Sequence, residues 1–175
     1  FISLFVFYVI KNVFILEILF LIMVLEYVLA FVGVFVGLLL AKYTKEELKP
    51  GRKYFVTFYK LMLFLLIVYL LYFITLDWYA LCFILGFVVT LFFSNLYFYL
   101  GLAVFSSVSL YTSFFVFLLG LPYGTLLYSR KNLKNYLIYS FIFFALSALI
   151  LLFDFPGINY FIAGALFSFF LRKVI

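Results

Sequence analysis

The chain has 175 residues, of which 71% are hydrophobic and 10% are charged, and its formal net charge is +6. A soluble domain of this size needs a polar surface that so few charged residues cannot supply, so the composition excludes a soluble globular protein and predicts an integral membrane protein. Backbone groups inside a bilayer must be hydrogen-bonded within the protein, which leaves helices or a closed barrel. Residues 61–74 are apolar at odd and even positions alike, whereas a barrel strand would alternate. We therefore predict an all-α bundle of transmembrane helices.

Six apolar segments fit transmembrane helices of about 20 residues. They lie near 13–41, 55–76, 79–99, 100–128, 136–153 and 158–171. Residues 1–10 are also apolar, and we interpret them either as the end of a longer span or as an interfacial segment. After the first span, Thr44 to Glu47 fits a capping box that starts one helical turn, and Pro50-Gly51 predicts a turn before the second span.

The segment 79–128 contains no charged residue, and its division into helices is open. Its fifty residues suit two spans of ordinary length or three short ones near the lower limit of about 17 residues. The weak breaks are Ser94-Asn95, Gly101 and the Pro122 region. Two spans give six transmembrane helices and three spans give seven. Because three helices with their turns fit tightly, we expect six.

Basic residues gather next to the predicted spans, where the positive-inside rule applies. We therefore expect the first of these clusters, the 42–53 loop, to be cytoplasmic in a cell membrane and the clusters to contact anionic lipid headgroups rather than nucleic acid. The three clusters consist of Lys42, Lys45, Lys49, Arg52 and Lys53, of Arg130, Lys131 and Lys134, and of Arg172 and Lys173.

The order of features along the chain suggests an internal repeat of three helices. Each unit has a Gly-x-x-x-Gly motif, a basic loop, an apolar span, an aspartate beside an aromatic residue, and a span with a central glycine. The motifs are Gly33 to Gly37 and Gly120 to Gly124, and the aspartates are Asp77 and Asp154. With six spans the units would be inverted. With seven, in a three-one-three order, they would be parallel and all basic clusters would share one side.

Glu26 is the main candidate for a functional group. On a helix it shares a face about 80° wide with Ala30, Gly33, Gly37 and Ala41, where small residues let another helix approach closely. It lies roughly 12 Å past Ile18 into the first span, a depth at which a charge is costly. We therefore predict an ion or proton site at Glu26. The alternative is a protonated side chain that bonds a neighbouring helix or subunit.

Small and hydroxyl-bearing residues form further stripes at helical spacing. We expect Gly120, Gly124 and Gly164 to serve helix packing, together with Ala30, Gly33 and Gly37. Ser106, Ser109 and Ser113 fall on one helical face. With Thr90 and Asn95 they are a candidate polar lining for a solute path, although close helix packing explains the same pattern.

Functional signatures are few. The chain has no histidine and one cysteine, Cys82, so a Cys/His zinc site and an intrachain disulfide are excluded. We find no hydrolase, metalloprotease or phosphate-loop motif and predict no cofactor. The sequence favours a transporter- or channel-like protein with an intramembrane carboxylate. The alternatives are a non-catalytic scaffold that binds another membrane protein or a second copy, and a lipid-processing enzyme that uses Asp77 and Asp154.

Overall fold

Within the described part of the chain the protein is helical throughout. The computed structural model describes residues 2–72, 79–107, 109–128, 132–150 and 157–172. The prediction of an all-α fold is confirmed for these residues. Asp77, Trp78, Asp154 and the basic residues Arg130, Lys131 and Lys173 lie outside them. The helices are α1 (Ile2–Tyr43), α2 (Lys45–Tyr72), α3 (Tyr79–Phe92), α4 (Leu96–Ser107), α5 (Leu110–Leu127), α6 (Leu133–Ile150) and α7 (Ile158–Leu171).

Three of these helices contain a stretch that is long and apolar enough to cross a membrane. The stretches are Val24–Tyr43 in α1, Pro50–Tyr72 in α2 and Leu110–Leu127 in α5. The apolar parts of α3, α4, α6 and α7 are shorter. Helix α1 is continuous from Ile2, so residues 2–10 extend the first predicted span; its 42 residues measure about 63 Å.

The expectation of two long helices over 79–99 and 100–128 is wrong, because this segment forms α3, α4 and α5. The side chain of Asn95 accepts the amide of Tyr97 at 3.1 Å, which starts a new helix after α3. Ser109 has extended backbone angles and precedes α5. Both breaks thus fall at polar residues: Asn95 bonds the backbone of α4, whereas Ser109 takes an extended conformation without a side-chain cap.

The predicted turn at Pro50-Gly51 is also wrong. Helix α2 begins at Lys45 and continues through Pro50, and Gly51 lacks the positive φ that a glycine turn would use. The chain turns at Thr44 instead, whose hydroxyl donates to the carbonyl of Leu40 at 2.8 Å. The basic residues Arg52 and Lys53 therefore lie on a helix rather than in a loop.

Helices α1 and α5 run parallel, and so do α3 and α7. A Cβ atom at Gly33 would overlap the backbone of Phe117, and one at Gly37 that of Leu121, so residue numbers rise together along the first pair. In the second pair, Tyr79 stacks on Tyr160 with ring centroids 5.0 Å apart. At the other end of that pair, Arg172 donates to the carbonyl of Thr90 at 2.7 Å.

Helix α2 runs antiparallel to α5, because Tyr59 lies against Tyr123 while Tyr69 lies against Phe115. Successive helices therefore alternate in direction. Helices α1, α3, α5 and α7 all finish at one end of the bundle, which we call the basic end because it carries Lys42, Arg52, Lys53, Lys134 and Arg172. We call the opposite end the far end.

Helix α4 is the centre of the bundle. Eight of its 12 residues are buried, on all sides of the helix, and it contacts α1, α5, α6 and α7. An apolar helix that is surrounded in this way needs no polar face. The order is thus three helices, a central helix and three further helices.

Candidate functional site

The predicted packing residues lie at two helix seams. Gly33 and Gly37 face α5, and Gly120 and Gly124 face α1, each so close that a Cβ atom would overlap the backbone opposite. Ala30 is wholly buried. Gly164 lies equally close to Phe83 in α3, and it is matched there by Gly86 against Phe161.

Glu26 is half-buried and lies at the far end of the α1–α5 seam. Because Gly33 lies between Phe117 and Gly120, Glu26 is about level with the first turn of α5, which begins at Leu110. The seam with α5 starts near this residue, so Glu26 lies at the end of the seam rather than deep within it. Among the described residues its carboxylate has no hydrogen-bond or ion-pair partner.

The predicted polar lining does not form one face. The helix breaks at residues 108–109, so Ser106 belongs to α4 while Ser113 belongs to α5. Thr90 and Asn95 lie at the basic end, where the Thr90 hydroxyl donates to the carbonyl of Gly86 at 2.7 Å. Ser113 lies within the α1–α5 seam, wholly buried, and its hydroxyl has no partner in the described part of the chain.

Ser106 and Ser109 instead join a polar group at the far end. The Ser106 hydroxyl donates to Oδ1 of Asn159 at 2.7 Å, and the Ser107 hydroxyl donates to that of Thr112 at 2.6 Å. The hydroxyls of Tyr69 and Ser109 are 3.2 Å apart. We call these residues the far-end polar cluster: Tyr69, Ser106, Ser107, Ser109, Thr112 and Asn159.

Four tyrosines form a second polar group nearer the basic end. The rings of Tyr59 and Tyr123 stack, that of Tyr97 packs edge-on to Tyr123, and the hydroxyls of Tyr123 and Tyr136 are hydrogen-bonded. The Tyr97 hydroxyl is buried and has no partner among the described residues. We call these four residues the tyrosine cluster.

The two polar clusters are separated by an apolar layer. Tyr59 and Tyr69 are ten residues apart on α2, which is about 15 Å. The interior between them is filled by the buried aliphatic side chains of Leu63, Leu66, Leu100, Val116 and Leu119.

Sequence reasoning missed the tyrosine cluster and most of the far-end polar cluster. Ser106 and Asn159 are 53 residues apart, and a local sequence pattern cannot predict such a contact. The four tyrosines could not be recognised in the sequence, because the chain has 16 tyrosines and only the folded structure brings these four together.

An apolar groove of about 570 Å³ lies on the outside of α1 and α6. Its lining includes Phe31, Phe105 and Phe144 but none of the predicted site residues. Comparisons of the chain with protein-family models, with curated proteins and with solved structures found no match.

Proposed function

We propose that the chain is a membrane protein with seven crossing helices, in which α1–α3 and α5–α7 are parallel units joined by α4. The observation that supports this orientation is that the described basic residues from Lys42 onward lie toward one end of the bundle, whereas Lys11 alone among the described basic residues lies on the part of α1 that extends beyond the opposite end. The positive-inside rule then makes the basic end cytoplasmic in a cell membrane, in contact with anionic headgroups. An inverted, six-helix arrangement would have placed two basic clusters on opposite sides.

We further propose that the protein is transporter-like and moves a small solute together with protons. Transporters built from repeated units bind their solute where the units meet. Here the far-end polar cluster takes side chains from α2 of one unit, from α5 and α7 of the other, and from the central helix. Glu26 supplies a carboxylate at about the same level. The convergence of neutral hydrogen-bonding groups from both units beside one acid is the observation that carries the proposal.

The test is proton movement in proteoliposomes that contain a pH-sensitive dye, challenged in turn with sugars, amino acids and organic cations. Wild-type protein should acidify the lumen with at least one solute. Glu26→Gln should abolish that signal, because the amide is nearly isosteric but binds no proton under these conditions.

The matched control is Glu17→Gln, because residue 17 lies nine positions earlier, on the opposite face of α1, and is exposed. It should transport like wild type. Equal transport by Glu26→Gln and wild type would contradict the proposal.

One observation favours a scaffold as the second candidate. Helix α1 continues for residues 2–23, about 33 Å, past the level at which α5 begins. This segment could bind another membrane protein or a second copy. The glycine faces cannot serve that purpose, because α5 and α7 already cover them within the chain. A wild-type protein that moves no protons with any solute would favour the scaffold. The lipid-processing alternative carries no proposal, since Asp77 and Asp154 lie outside the described residues.

A further inference from the structure

The two helices of the α1–α5 seam carry matched residues. Glu26, Gly33 and Gly37 on α1 have the same spacing as Ser113, Gly120 and Gly124 on α5. The matched glycines meet: a Cβ atom at Gly120 would lie 3.2 Å from Cα of Gly33, and one at Gly124 would lie 3.1 Å from Cα of Gly37. Equivalent positions of this parallel pair therefore face each other across the seam.

The same symmetry places Glu26 opposite Ser113. Both lie seven residues before the first glycine, which is two turns or about 10.5 Å toward the far end. Seven residues return a helix to nearly the same face, so both side chains project into the seam. Ser113 is 0% exposed.

Each of the two side chains lacks a hydrogen-bond partner that the other can supply. The Ser113 hydroxyl is buried without a partner among the described residues, a state that costs free energy. The Glu26 carboxylate is also unpaired within the described part of the chain. A carboxyl group and a hydroxyl can bond in either protonation state, since each can donate or accept.

No described charged group competes for this position. The residues at this level of α4 and α5 are neutral, and those with titratable side chains are the tyrosines Tyr111 on α5 and Tyr27 beside Glu26 itself. On α2 they are Tyr69, which is bonded to Ser109, and Tyr72, which is exposed. The other acid of α1 in this region, Glu17, lies on the opposite face, and the described lysines and arginines of α2, α6 and α7 lie toward the basic end.

We propose that Glu26 and Ser113 together form a proton-binding site at the far end of the α1–α5 seam. The carboxylate takes a proton from water at that end, and the resulting carboxylic acid donates its hydrogen to Oγ of Ser113. When the proton leaves, the Ser113 hydroxyl donates to the carboxylate instead. This inference deepens the proposed function by naming the proton carrier and its positioning residue, and it holds or fails whether or not a solute is moved.

The test is infrared difference spectroscopy of the purified full chain between acid and alkaline pH, with the proton itself as the ligand. The chain has six acidic side chains, so the readout is the difference between variants: one component of the C=O stretching band of protonated carboxyl groups should be present in wild type and missing from Glu26→Gln. Ser113→Ala should keep this component but move it to higher frequency, because the acid loses its acceptor. Glu17→Gln and Ser109→Ala should leave this component unchanged.

Two results would overturn the site. A carboxyl band that is identical in Glu26→Gln and wild type would assign the proton elsewhere, and a Glu26 component unmoved by Ser113→Ala would remove Ser113 from the site. If Glu26→Gln does not fold, Glu26→Asp should shift the band rather than abolish it. Transport plays no part in this readout, so its failure is distinguishable from a failure of the proposed function.

Discussion

Gly37→Ala should lower the free energy of unfolding by about 2 kcal/mol, even though alanine favours helices. A Cβ atom there would overlap the carbonyl of Leu121 and lie 3.0 Å from that of Gly120. These are backbone atoms, which cannot rotate away, so α1 and α5 must separate. Overpacking of this kind costs about 3 kcal/mol, and the better helix propensity of alanine returns about 1 kcal/mol. The measurement is reversible unfolding in mixed detergent micelles, followed by circular dichroism.

Gly51→Ala is the matched control for this prediction. A Cβ atom at Gly51 would contact only the side chain of Phe55, at 3.5 Å, which is an ordinary distance. The same chemical change should therefore leave stability unchanged or raise it by up to about 1 kcal/mol through helix propensity. Equal stability of the two variants would show that the α1–α5 seam is not closely packed.

Leu66→Ala should cost about 3 kcal/mol, because it opens a cavity in the apolar layer between the two polar clusters. Leu66 is 0% exposed, whereas its neighbour Leu65 is 38% exposed on the outside of α2. Leu65→Ala should therefore cost much less, and the pair can be compared in the same unfolding experiment. A larger loss for Leu65→Ala would mean that α2 is rotated relative to the structure described above.

The contrast between Leu65 and Leu66 could not be predicted from the sequence. Residues 61–68 are apolar without interruption, so their pattern cannot tell which side of α2 faces the core. In a soluble protein the polar face of a helix gives that information. Here the contrast between Leu65 and Leu66 appears only when α5 and α7 are in place.

Glycine spacing was the most informative sequence signal. Close approach of two helices needs small residues four apart, and Gly33, Gly37, Gly120 and Gly124 lie on the faces that the stripes predict. The helix count was harder, because segment length and charge distribution favoured different answers. The breaks depend on Asn95 and Ser109, whose local backbone conformations a hydropathy pattern does not encode.

The candidate site, too, could be predicted only in part. Glu26 could be predicted as a candidate because an acid inside an apolar helix is conspicuous, and its face follows from helical geometry. Its position at the end of the bundle could not, because the extent of α1 outside the bundle depends on where α5 begins. The partners of Ser106 and Ser109 come from α7 and α2, and only the folded chain brings them together.

If the two three-helix units are parallel, their basic clusters lie on the same side of the membrane, which cysteine accessibility in intact cells can show. In a Cys82→Ser background, single cysteines are placed at three exposed positions: Lys42→Cys and Lys134→Cys at the basic end and Tyr72→Cys at the far end. An impermeant maleimide should label only the cysteine at position 72 until the membrane is permeabilised. Labelling at position 134 but not at position 42 in intact cells would place the two basic clusters on opposite sides of the membrane and contradict the parallel arrangement of the two units.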